Sequence, residues 1–102
     1  MRSHSEGYQT KANADHTHAE GEGTYANIKG EHVQGKYNKY LDENNNPLNY
    51  AHVVGNGSSD TARSNAHTLD WSGNAWFAGK VKAGVATTDS DDDLVLCTKG
   101  YV

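Results

Sequence analysis

The chain has 102 residues, of which 34% are hydrophobic and 11 are glycine, and its mean hydropathy is -0.88. That length suits one small domain with a meagre core. The formal charge of -4 gives no basic footprint for nucleic acid. No apolar run approaches a membrane span, and the single cysteine, Cys97, excludes an intrachain disulfide. Stability in so small a chain then falls to a metal or to oligomerisation.

From the N-terminus, Met1-Arg2-Ser3-His4 leads straight into polar sequence, with no signal-peptide pattern. Residues 1–58 then carry a repeat with a period of 14: Ser3-His4-Ser5-Glu6-Gly7, Thr17-His18-Ala19-Glu20-Gly21 and Glu31-His32-Val33-Gln34-Gly35. His4, His18 and His32 fall in one column, and Gly7, Gly21 and Gly35 in another. Thr10, Thr24 and Asn38 each follow three residues after the glycine. A fourth copy, His52-Val53-Val54-Gly55, starts 20 residues after the third. The six extra residues, 42–47, are turn chemistry, so the spacing predicts a loop inserted at 41–48.

Fourteen residues are too few for a helical hairpin, and the blocks lack a helical apolar stripe. They suffice for two short strands and two turns, and stacked coils of that kind form a parallel β-roll or solenoid. The recurring glycine suits a corner that needs positive φ or close backbone approach. His18 and Glu20 share a strand face, as do His4 and Glu6. At about 4.8 Å per coil, His4, His18 and His32 form a ladder. That ladder either lines the centre of an oligomer or coats its outside.

His16-Thr17-His18 is an H-x-H pair, which on a strand would place both rings on one side. On a three-fold axis such a pair would surround one transition-metal ion with imidazoles. His16 and His18 are therefore candidate metal ligands, and that axial ion is the one candidate cofactor. The competing reading needs no cofactor: it puts His16 in a turn and leaves only His18 to the repeat.

Residues 59–86 read as a β-ribbon, with strands at 65–71 and 74–77 across a Ser72-Gly73 turn. Val81, Ala83 and Val85 alternate as a third short strand. Leu69 and Trp71 share a face. Leu69, Trp71, Trp76 and Phe77 would leave an apolar patch on a monomer, so they are the candidate core between chains. Residues 87–102 read as a solvated acidic linker and a junction to a further region. Cys97, next to Leu94-Val95-Leu96, reads as a buried inert thiol.

The block His18-Ala19-Glu20-Gly21, repeated at 14 with Thr24 and Ala26, resembles the head repeats of YadA-like trimeric adhesins, which also occur in phage tail proteins. Gly35-Lys36-Tyr37-Asn38, Tyr50-Ala51-His52-Val53-Val54-Gly55-Asn56-Gly57 and Arg63-Ser64-Asn65-Ala66-His67-Thr68-Leu69-Asp70-Trp71 are similar to the distal part of phage tail-fibre and baseplate-associated proteins. So is Ser72-Gly73-Asn74-Ala75-Trp76-Phe77-Ala78-Gly79, and Thr98-Lys99-Gly100-Tyr101-Val102 resembles the junction that follows in them. The third coil departs from the pattern, with Val33-Gln34 in place of Ala-Glu and with Tyr37 and Tyr40 intruding.

The resemblance implies an all-β, left-handed parallel β-roll followed by a β-ribbon or β-prism, intertwined as a homotrimer. It implies a structural segment of a virion tail, extracellular once assembled, with other tail and baseplate proteins as partners. One alternative is a tip module that binds a host cell-surface glycan through Tyr37, Tyr40, Tyr50 and Trp76. A second is an autoproteolytic assembly segment, labile at Asn56-Gly57 or Ser59-Asp60. No nucleophile elbow, paired acids or phosphate loop is legible, so no enzyme is expected. Nor is nucleic-acid binding or membrane insertion.

Overall fold

The computed structural model describes residues 2–101; Met1 and Val102, the outer ends of the expected N-terminal segment and C-terminal junction, lie outside them. The protein is all-β. Its strands are β1 (His4–Tyr8), β2 (Lys11–Ala12), β3 (His18–Glu22), β4 (Tyr25–Ala26), β5 (His32–Lys36), β6 (His52–Asn56), β7 (Asn65–Leu69) and β8 (Ala75–Phe77). A short 3-10 turn follows at Lys99–Tyr101.

Ala, Glu and Gly are poor strand formers, so these segments owe little to local propensity. What makes them strands is stacking. β1, β3, β5 and β6 pair in parallel and in register: His4 faces His18, His18 faces His32, and His32 faces His52. β2 and β4 pair the same way in a second, smaller sheet. Each coil is thus a five-residue strand and a shorter return segment, offset by 14 residues from the next, and by 20 where the insertion falls.

The turns repeat with the strands. Gly7, Gly21 and Gly35 have φ of 118°, 107° and 98°. A Cβ on Gly21 would lie 2.0 Å from the carbonyl oxygen of Gly35, so this column requires both positive φ and close approach. Two positions later, Gln9, Gly23 and Tyr37 are all left-handed. His16 (φ 60°) occupies the turn position that Gly30 (φ 79°) fills one coil on. The inserted segment is a compact loop: Leu41 bridges Pro47, and Asp42 Oδ1 accepts the amides of Asn44 and Asn46.

The core is narrow. Ala19, Val33 and Val53 stack inward from consecutive coils, with Ala26 opposite. Buried Thr24 donates its hydroxyl to the Glu20 carbonyl. One coil on, buried Asn38 uses its amide side chain to pair both backbone groups of Tyr25, extending the smaller sheet without a further strand. Asn65 does the same for Lys39.

The ribbon joins the sheet of the roll: β7 pairs antiparallel with β6, and β8 with β7, so one six-stranded sheet runs β1-β3-β5-β6-β7-β8. The ribbon takes the sheet edge that a further coil would otherwise occupy. Two expectations are corrected. Val81, Ala83 and Val85 form no strand and are exposed, because no neighbouring strand meets them. Cys97 is exposed rather than buried, as are Leu94 and Leu96 at 91% and 85%, since the apolar run docks on no sheet.

Candidate functional site

The stacking register places like residues side by side on the outer face of the large sheet. Each of its six strands contributes one ring: His4, His18, His32, His52, His67 and Phe77. The centroid separations along this column are 4.7, 4.6, 5.3, 5.8 and 4.4 Å. The first three follow from the parallel pairing. His67 joins because antiparallel β7 puts it opposite Val54, diagonal to His52. The histidine ladder expected for the first three coils therefore continues through β6 and β7 and ends on Phe77 of β8.

A second column flanks the rings. Glu6, Glu20 and Gln34 lie two residues beyond their histidines and on the same face. His4 Nε2 donates to Glu6 Oε1 at 3.2 Å, and His32 Nε2 to Glu20 Oε1 at 3.1 Å. His52 Nε2 lies 3.3 Å from Gln34 Oε1. His18 differs from these. Its Nε2 is 3.9 Å from Glu6 and 3.7 Å from Glu20, too long for a hydrogen bond, although that atom is shielded from solvent. Two triads result, His4/Glu6/His18 and His18/Glu20/His32, in each of which the ligand atoms lie within 4.8 Å of one another.

Burial holds the His52 imidazole below its ordinary pKa, and the neighbouring His32 and His67 lower it further. In the turn before β5, the buried Glu31 carboxyl accepts the amides of Asn27 and Ile28. Burial outweighs those hydrogen bonds and raises it from 4.5 to about 7.

Of the two readings of His16-Thr17-His18, the structure has the one that puts His16 in a turn. His16 is an exposed turn residue with φ 60°, outside β3, and is not part of either triad. Left-handed geometry removes the strand alternation that would have aligned the two rings. Gly7, Gly21 and Gly35 each lie against the backbone of the glycine one coil on, whereas Gly55 lies against the backbone of Lys36 and Asn38 in the coil before it.

On the ribbon, Trp71, Trp76 and Phe77 are 55%, 53% and 47% exposed in the single chain, and Leu69 is half-buried. Trp71 lies against Gly30, and its indole N–H donates to Asn49 Oδ1 at 2.7 Å. Tyr50 and Trp76 line one cleft with Lys39, Arg63 and Asn65. Tyr37 and Tyr40 are instead engaged with Arg63.

Sequence reasoning missed Arg63. Its guanidinium lies 4.3 Å from the Tyr25 ring, 5.0 Å from Tyr40 and 5.5 Å from Tyr37. It also donates to the carbonyls of Gly23 and Asn38 and pairs with Asp60. The intruding tyrosines of the third coil were the available signal, because a ring cluster on a β-surface calls for a cation. His67 was missed because it stands outside the repeat.

No protein-family model, no curated protein and no solved structure matches the chain.

Proposed function

We propose that this chain is a structural segment of a phage or prophage tail fibre or tail tip, assembled as a homotrimeric rod that carries or supports host attachment. The observation that supports it most is the imbalance between core and surface. The buried hydrophobic core consists of Ala19, Ala26, Val33 and Val53, whereas Trp71, Trp76 and Phe77 stand half exposed on one ribbon. At about 25 cal/mol per Å² of apolar surface, four such small side chains offset little of the ordering entropy of the chain. Burying the three aromatics between chains supplies what one chain lacks. The number three comes from the likeness of the 14-residue repeat to trimeric heads. The rod has no enzymatic role in this reading and neither enters membranes nor binds nucleic acid.

Trp71→Ala tests it. Losing a large aromatic from an interface costs about 3–5 kcal/mol per chain, so the variant melts far below the parent and dissociates. A variant that melts with the parent would exclude an interface at Trp71.

A second reading, a glycan-binding tip, is favoured by the cleft in which Tyr50 and Trp76 stand beside Lys39 and Asn65. Flat rings with flanking hydrogen-bonding groups suit a sugar. Retention of the chain on a glycan array, abolished by Trp76→Ala with assembly intact, would favour this reading over a plain spacer.

A further inference from the structure

The half-exposed His and Glu column does more than pair with itself. We propose that His18, Glu20 and His32 form a binding site for one late first-row divalent cation per chain, for which zinc is the test ion. The site lies within a single chain, so it stands or falls independently of the trimer.

Three observations carry it. First, the donor set is right: two imidazoles and a carboxylate suit zinc, nickel and copper. Second, the two spacings to the carboxylate suit zinc, and all three ligand atoms lie within 4.8 Å of one another. Tetrahedral zinc with ligand bonds of about 2.0–2.1 Å sets its ligand atoms about 3.3 Å apart. Glu20 Oε1 lies 3.1 Å from His32 Nε2 and 3.7 Å from His18 Nε2, bracketing that value. Third, His18 Nε2 is shielded from solvent and has no hydrogen-bond partner among the described residues, an arrangement that costs free energy unless something fills it.

The other triad, His4/Glu6/His18, competes for the same His18 nitrogen, so the two cannot both be filled. The inner triad prevails because all three of its members are half-buried, whereas His4 and Glu6 are exposed. Binding needs both rings in the tautomer with the proton on Nδ1, so the His32 Nε2–H···Glu20 hydrogen bond gives way to coordination. A water or a group from a neighbouring molecule completes the shell.

The repeat builds this site once. In the next coil Gln34 replaces the carboxylate, and His52 Nε2 is already paired with its amide oxygen. A neutral amide is a weak ligand, which ends the run of sites at His32.

The test is calorimetric titration of zinc chloride into the tag-free 102-residue chain. Substitution of cobalt provides a visible absorption spectrum of the coordination. The expected result is one ion per chain and a cobalt spectrum of low-symmetry, low-coordinate type. His32→Gln and Glu20→Gln should each weaken binding at least ~10-fold, the least that loss of even an outer partner costs. His16→Gln and His4→Gln should leave it unchanged. Circular dichroism of each variant separates lost ligation from lost folding; Glu20→Gln, half-exposed and isosteric, keeps the fold. No saturable binding to the folded parent would overturn the site, and so would binding that survives Glu20→Gln and His32→Gln. Loss of binding in His16→Gln alone would instead restore the H-x-H pair and overturn the triad.

Discussion

Gly21 shows how far a single residue governs this architecture. With φ at 107°, a Cβ there would stand 2.0 Å from the Gly35 carbonyl oxygen, which leaves no room for a side chain. The obstacle is backbone, which cannot swing aside. Gly21→Ala should therefore prise the second and third coils apart, costing more than the ~1–3 kcal/mol of left-handed strain alone. Loss of the cooperative thermal transition in far-ultraviolet circular dichroism is the expected result. Glu31 offers a pH test at the same scale. Its carboxyl titrates near 4.5 when free and near 7 when folded, so the folded state holds the proton more tightly. The stability this gives is complete below pH 4.5 and lost as pH rises towards 7, about 3 kcal/mol in all. His52 acts in the opposite sense: its folded pKa lies below 6.5, so its contribution is complete above that pH and falls away on acidification. Glu31→Gln should match the parent near pH 4.5, exceed it at pH 8 and reveal the uncompensated histidine slope. Parallel melting profiles for the two proteins would contradict this assignment.

Among the elements, the third coil and the ribbon are joined at Arg63. Its side chain is 11% exposed, faces three tyrosine rings and donates to two backbone carbonyls from different coils. Arg63→Ala leaves those carbonyls unpaired and removes the cation from the cluster, with a cost of about 2–4 kcal/mol. Arg63→Lys should recover little, because an ammonium cannot reproduce the planar fork; chemical denaturation of both variants checks this. The contrast with the repeat shows what is legible in the residues. Period 14 in His and Gly is a one-dimensional signal, and parallel stacking translates it directly into the His4, His18, His32 and His52 column. The insertion at 41–48 was legible for the same reason, as Asn and Asp turn chemistry interrupting a period. Arg63 and His67 were not, since their partners lie up to 40 residues away and are chosen by tertiary packing. The strand expected at 81–85 failed because alternation alone provides no partner. The residues left His16 open between strand and turn, because nothing in them fixes its left-handed φ of 60°.

The whole molecule measures 48 × 28 × 28 Å, a short rod whose long sheet carries a titratable column and ends in an aromatic ribbon. Its interior is too small for its surface, and the trimer is the proposed remedy. Folding would then be inseparable from assembly, so the melting temperature should rise with protein concentration. Light scattering coupled to size exclusion on the tag-free chain tests this most directly. A folded species of three times the 11.0 kDa chain mass is the predicted result. A stable, cooperatively folded species of 11.0 kDa would contradict it.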